Sequence, residues 1–390
     1  MMLVREVMFM KNQQEKLKLP ACSCMTLTSR EGHHYWFRTC DIEEKLWEGG
    51  THIVQYGAGS QIVYEDGNME TGMYGFLGIT YNEKDSWLLD GVNEEGLSGG
   101  LLMLYEGTSV KKAPCGKKGY SGMEFVTKIL SSCSTVKEVI ALSEHIRILD
   151  IPYENIKVAA TMHYFFVDNL GDEVILEATE KKEMGRLRIY KKEEIIGVMT
   201  NSPPYYKQLQ NLSWFMSKSP ELTQGVEGQA VRELIFDNRK VEADEVAEHV
   251  SLNGIFPASY ASYDRFIRLA VMKALNYSGN LWEDDKILAM GSGIMNVVME
   301  PDTKGIFHYS GMEENGIVQG QKESFTQYIV MYDLENKCFY MKALDVVSWR
   351  KYQLRTMGRG EKESYEISHD HMQGVIQENG YSQGFEKEKV

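Results

Sequence analysis

The sequence predicts an α+β protein, and its element order suits a four-layer αββα sandwich. β-propensity runs separated by Gly, Asn and Asp turns fill residues 21–105 and return at 161–179, 195–201 and 325–342. Apolar residues at helical spacing interrupt them at 121–145 and again beyond 229. Strands, helices, strands, helices, strands is the resulting order, and that order defines the class.

Ala21–Asp41 reads ACSCMTLTSREGHHYWFRTCD. Two β-friendly runs flank the polar turn Ser29-Arg30-Glu31-Gly32, so the stretch is a hairpin. Pairing across it brings Cys22 to the corner formed by Arg38 and Asp41. A guanidinium beside a thiol favours the thiolate, which is the nucleophilic form. A Cys at a mature N-terminus would have its own α-amine as base, and Asp41 could hold that amine or the Arg. A buried structural Cys beside a surface Arg–Asp pair would show the same three letters.

Thr51–Tyr56, Gln61–Tyr64, Tyr74–Ile79 and Trp87–Leu89 read as further strands. Asp90-Gly-Val-Asn-Glu-Glu-Gly-Leu97 is a turn between apolar runs and continues as the strand Ser98–Tyr105. Its glycines make no phosphate loop, because neither a helix nor Lys-Ser/Thr follows. Phe125, Ile129 and Leu130 mark a helix, and Ser134-Thr135-Val-Lys-Glu138 is a capping-box start for a second over Val136–His145. Thr161–Thr179 forms a hairpin turning at Asn169–Asp172. Ile195–Pro204 is an apolar strand that ends on Asn201, which as the residue before Ser-Pro also suits a turn.

Helical patterns are expected at Gln229–Arg239 and Glu242–Val250. A loop from Pro257 then enters a helix capped by Ser262 or Asp264. Arg265 and Arg268 near that helix start oppose its dipole, so a carboxylate or ligand should compensate them. Phe325–Tyr332 and Lys337–Lys342 form a last hairpin. From about residue 350 the chain turns polar and charged, and residues 351–390 are expected to be a frayed tail.

Composition excludes several classes. A net charge of −14 repels nucleic acid and anionic membranes, so neither is an expected partner. No stretch approaches the ~20 apolar residues of a membrane helix, and Val7–Met10 is too short for a signal sequence. The expected location is cytoplasmic, where thiols stay reduced. Six cysteines in 390 residues make no disulfide framework. Cys22-Ser-Cys24 is too close for the usual zinc spacings, and His33-His34 and His369-Asp-His371 lack a third ligand, so no metal is expected.

Cys-x15-Arg-x2-Asp across a first hairpin resembles the start of the choloylglycine hydrolase family, the linear amide C–N hydrolases. Conjugated bile acid hydrolases and penicillin V acylases belong to it, and they are N-terminal-nucleophile enzymes. The D-G-x-N-E-x-G-L run, Thr200-Asn-Ser-Pro203 and Ser262-x-x-Arg-Phe266 extend the resemblance over roughly residues 22–345. It implies two antiparallel sheets stacked between helices, Cys22 as nucleophile, and Arg38, Asp41 and Arg265 around it. It also implies an oxyanion hole from the Asn201 side chain and the Met103 backbone N–H, with no cofactor. The Met103 side chain would face substrate, where the family often carries Asn or Tyr. With Leu89 and aromatics of residues 205–215 it would line an apolar pocket.

Typical bile acid hydrolases of this family have only an initiator Met before the Cys, so 21 residues is a departure. Residues 1–21 therefore read as a leader or propeptide cut at Ala21–Cys22, or as a misassigned start, and residues 22–350 as the hydrolase domain. The expected substrate is a small-molecule acyl amide: a conjugated bile salt first, then penicillin V, then an N-acyl homoserine lactone. A retained leader would instead make the chain a degenerate relative that only binds acyl amides. The family often forms tetramers, so a homo-oligomer is expected.

Overall fold

The structure is a computed structural model that describes residues 21–42, 50–81, 84–153, 156–159, 161–218, 233–236, 239–242, 257, 259–277, 282–301, 325–344 and 346–367. Two antiparallel sheets dominate it. Sheet A is built from β1 (Ala21–Thr28), β2 (His34–Ile42), β10 (Val198–Thr200), β11 (Phe325–Asp333), β12 (Cys338–Ala343) and β13 (Arg350–Gln353). Its spatial order is β10-β1-β2-β11-β12-β13.

Sheet B takes β3 (His52–Tyr56), β4 (Phe76–Tyr81), β5 (Lys84–Asn93), β6 (Ser98–Met103), β7 (Met162–Val167), β8 (Glu173–Glu177), β9 (Arg188–Lys191) and β14 (Lys362–Glu366). They run β9-β8-β7-β6-β5-β4-β3-β14.

Turn chemistry sets the two hairpins that matter for the site. Gly32 at φ +89° closes the β1–β2 turn, and its N–H donates to the Ser29 carbonyl. Asn93 holds the N-E-E-G turn by accepting from the Glu95 and Leu97 N–H groups while donating to the Leu130 and Cys133 carbonyls. Those last two bonds tie β5 to α1 (Phe125–Ser132), which lies on the outer side of sheet B. As the capping box predicts, α2 (Val136–Ser143) begins with Thr135 Oγ1 accepting from the Glu138 N–H.

On the far side of sheet A lie α4 (Ser262–Tyr277) and α5 (Asp284–Met295), with α3 (Tyr205–Lys218) beside α4. Lys273 of α4 reaches Thr26 and the Ile196 and Gly197 carbonyls, and a Cβ on Gly291 of α5 would collide with the Phe37 ring. The layers are therefore helices, sheet A, sheet B, helices, as expected.

The sheets approach closely at Gly100, where a Cβ would sit 2.6 Å from the Trp36 ring and 2.7 Å from the Leu89 carbonyl. Gly100→Ala is expected to destabilise the fold by about 1–3 kcal/mol. Urea unfolding would read this as a lower midpoint at unchanged slope. An unshifted midpoint would mean that the sheets do not meet there.

Two expectations are corrected. Within the helix expected at Gln229–Arg239, Glu233–Ile235 is a strand paired antiparallel with Lys240–Glu242. Burial there alternates, with Leu234 and Phe236 inside and Ile235 56% exposed, which is period two and not 3.6. The second pattern, Glu242–Val250, lies beyond Glu242 outside the described residues.

The tail expected from 351 is also part of the fold up to Ile367, since Arg350–Gln353 and Lys362–Glu366 close one edge of each sheet. Edge strands are commonly charged, which blocks further pairing. KESYE therefore lacks the apolar signature that marks an interior strand. Residues 1–20 and 368–390 fall outside the described residues.

Candidate active site

Strand alternation divides the candidate residues between the two faces of sheet A. Cys22 lies directly opposite Cys40, and Cys24 opposite Arg38. These four side chains belong to the face turned toward sheet B. Arg38 Nη2 donates to Cys22 Sγ at 3.3 Å and to Cys40 Sγ at 3.8 Å. Its Nη1 donates to the Asp90 carboxylate, which also accepts from Tyr328 Oη at 2.8 Å and from Tyr332 Oη. Burial, together with the Asp90 charge, holds both phenols well above their ordinary value, so they remain O–H donors. Cys22, Arg38 and Asp90 are each at most 1% exposed, so this charge network lies out of water.

That setting separates the two neighbouring thiols. Burial alone raises Cys22. The Cys40 hydrogen bond, the charge and hydrogen bond of Arg38 and the Asp41 backbone N–H outweigh it, lowering the thiol from 9.0 to about 5. At Cys24, burial wins over the attraction of Arg38 and the thiol is pushed far up. Of the two, Cys22 is the thiolate.

Alkylation of Cys22 is therefore expected to run near its plateau rate from about pH 6 to 8, since the thiolate is what reacts. An ordinary buried thiol would lose about tenfold in rate for each pH unit over that range. A profile for Cys22 with its midpoint at 8 or above would refute this environment.

Ser23, Thr39 and Asp41 face α4 on the other side. Arg265 Nη1 donates to the Cys22 carbonyl at 2.8 Å and to Ser23 Oγ at 2.7 Å, while Nη2 donates to Asn201 Oδ1 at 3.0 Å. The carboxylates that its position near a helix start calls for are Asp41 Oδ2 at 3.6 Å and Glu300 Oε1 at 3.4 Å. Burial and then the Glu300 charge keep Asp41 well above the carboxylate range, against the pull of Arg265. Asp41 accepts from Thr326 Oγ1 at 2.6 Å and from Thr39 Oγ1 at 3.3 Å. Arg268, in contrast, serves structure, donating to the Val297, Pro257 and Ser259 carbonyls.

Asn201 follows β10 and joins the two faces. Its Oδ1 accepts from the Cys22 N–H at 2.5 Å, and its Nδ2 donates to the Met103 carbonyl at 3.1 Å. An amide nitrogen carries two donors, so the Met103 bond engages one of them. Gln208 fixes the loop by donating to the Thr200, Asn201 and Pro203 carbonyls.

The structure thus gathers Cys22, Arg38, Asp41, Asn201, Arg265 and the Met103 backbone at one place. Leu89 is the buried extra residue of a bulge, where register passes from Ile79–Asp90 to Thr80–Leu88. Tyr205, expected near the pocket, belongs to the core. Its Oη accepts from the Ile196 N–H, and its ring packs edge-on against Tyr190 and Phe266.

Sequence reasoning missed Asp90 and Cys40. Asp90 could have been found as a carboxylate that ends the apolar run Trp87-Leu-Leu89 and so needs a buried cation. Cys40 follows from alternation once Cys22 is placed. Glu300 and Thr326 carried no local signal. Among the described residues no group of three or more His, Cys, Asp or Glu could hold a metal ion, and no helix is long and apolar enough to cross a membrane.

Two face-to-face antiparallel sheets between helical layers, with a candidate Cys nucleophile on the first strand, define the N-terminal-nucleophile hydrolase architecture. The chain belongs to the choloylglycine hydrolase family of linear amide C–N hydrolases, whose family model matches residues 22–358. It is 25% identical over 318 residues to the bile salt hydrolase/transferase of Clostridium perfringens, covering 76% of this chain and 91% of that one. It is 32% identical over 123 residues to the penicillin V acylase of Pectobacterium atrosepticum, covering 31% of each.

Among solved structures, a variant of the conjugated bile acid hydrolase from Clostridium perfringens superposes with TM-score 0.68 at 22% identity, over 89% of this chain and 97% of that one. Penicillin V acylase from Agrobacterium tumefaciens gives 0.57 at 19%, over 85% and 86%.

Proposed function

We propose that this protein hydrolyses the amide bond of conjugated bile salts, with Cys22 as an N-terminal nucleophile. The observation that carries the reading is the buried Cys22 sulfur 3.3 Å from Arg38 Nη2, with the Cys22 nitrogen on Asn201 Oδ1. Ala21 is the strand partner of Asp41. Loss of residues 1–21 would therefore leave the new α-amine of Cys22 on Asn201 Oδ1, at the strand end where Asp41 lies across from the lost Ala21.

The steps follow from these positions. The Cys22 thiolate forms a C–S bond to the amide carbon, and the carbonyl electron pair moves to oxygen. Asn201 and the Met103 backbone N–H hold that oxyanion. The protonated α-amine delivers its proton to the leaving nitrogen as the C–N bond breaks, leaving a thioester. Water, losing a proton to the same amine, then displaces the sulfur and releases the acid. Arg38 keeps the sulfur ionised, Arg265 and Asp41 fix the strand end, and Met103 and Leu89 belong to the acyl pocket. The chemistry requires no cofactor.

Penicillin V is the second reading, favoured by the 32% identity to a penicillin V acylase. Comparing kcat/KM on a glycine-conjugated bile salt and on penicillin V decides between them. Turnover of neither, with residues 1–21 still attached by intact mass, would reject both. Asn201→Ala is expected to lower kcat on the preferred substrate by about 10²–10³-fold, the scale of losing one oxyanion donor. A change confined to KM would remove Asn201 from that role.

A further inference from the structure

Cys40 has no part in amide hydrolysis beyond its hydrogen bond to Cys22, yet its position is specific. The Cys22 N–H points to Asn201, on the β10 side of β1, and therefore away from β2. Cys22 and Cys40 are then a non-hydrogen-bonded cross-strand pair, the kind whose Cα atoms stand about 4.5 Å apart and whose side chains come closest. That separation lies within the ~4.4–6.8 Å span of a disulfide. One guanidinium nitrogen, Arg38 Nη2, touches both sulfurs. Cys24 shares the face, but two residues along a strand it projects parallel to Cys22 at about 6.6 Å. Bridged Cβ atoms stand only about 3.5–4.5 Å apart.

We propose that Cys22 and Cys40 form a dithiol site that hydroperoxides convert into a reversible disulfide. The Cys22 sulfur attacks the distal peroxide oxygen, and the O–O bond breaks. The leaving oxygen departs with the electron pair and takes up a proton, and Cys22 becomes the sulfenic acid. The Cys40 sulfur then attacks the Cys22 sulfur, and the hydroxide that leaves takes the Cys40 proton as water. Two thiols and one hydroperoxide yield one disulfide, one alcohol (water, for hydrogen peroxide) and one water. Any path that brings an amide carbonyl to Cys22 Sγ also admits a peroxide. The silencing of hydrolysis rests on the proposed role of Cys22, whereas the disulfide itself does not.

The test treats the purified protein with near-stoichiometric hydrogen peroxide, without amide substrate, then maps its peptides after trapping at low pH. The expected result is a mass loss of two hydrogens, a Cys22–Cys40 cross-linked peptide, and full reversal by dithiothreitol. Amide turnover should fall to background with the cross-link and return with reduction. In Cys40→Ser the cross-link should vanish, and with two or more equivalents of peroxide Cys22 should gain two oxygens that dithiothreitol does not remove, whereas wild type given the same excess should form the cross-link instead.

Wild-type protein that takes up those oxygens as readily as the variant, or that cross-links Cys22 to Cys24, overturns the proposal. The wild-type map decides even if the variant does not fold. Absence of turnover before oxidation would sink the amidase reading, and the map would still judge the disulfide.

Discussion

Cys22→Ala is expected to lower amide turnover by about 10⁴-fold or more, the scale on which removing a catalytic nucleophile slows covalent hydrolases. The sulfur is the only protein atom in the proposed scheme that bonds to the acyl carbon, and no neighbour can replace it. Cys24 points to the same face, but burial keeps its thiol protonated. Cys40 has its own thiol raised well above the ordinary value, first by donating to Cys22 and then by burial. Single-turnover kinetics with a chromogenic acyl amide, beside urea unfolding of the same variant, separates lost chemistry from lost fold. Cys22→Ser that kept full activity would remove the thiol from the mechanism.

Arg38→Met should produce the largest stability effect. The substitution leaves Asp90 buried without its cation, and breaking one side of a buried ion pair typically costs about 3–5 kcal/mol. The Tyr328 and Tyr332 hydroxyls still donate to Asp90, so the expected loss lies toward the lower end of that range. Cys22 simultaneously loses a donor and a positive neighbour, and its thiol should move back up toward 9.0.

For a thiol the charged form is the deprotonated one, so a raised value means less thiolate at pH 6. Alkylation at that pH should fall by about 10²–10³-fold. Urea midpoints and the labelling profile check the two halves independently. A variant equal to wild type in both would mean that Arg38 is neither the partner of Asp90 nor the reason for the reactive thiol.

By itself the sequence determined what short-range physics encodes. The β1–β2 hairpin, the N-E-E-G turn, the Thr135 cap and the helix beginning at Ser262 are set by turn residues, capping side chains and apolar period over a few positions. Placing Cys22 against Arg38 and Asp41 needed only hairpin pairing. The motif contexts around Asn201 and Arg265 carried those two residues to the site by resemblance.

Tertiary structure decided what depends on partners far along the chain. Lys362–Glu366 is a strand because His52–Tyr56 offers it an edge, not because of any apolar signal of its own. Asp90, 52 residues from Arg38, is a charge partner only because two sheets stack with those side chains between them. Which thiol ionises was decided the same way. Cys22 and Cys24 sit near the same guanidinium, and the hydrogen bonds that reach Cys22 set them apart. Such bonds belong to the packed arrangement, because desolvation magnifies each charge and donor only after the core has closed around it.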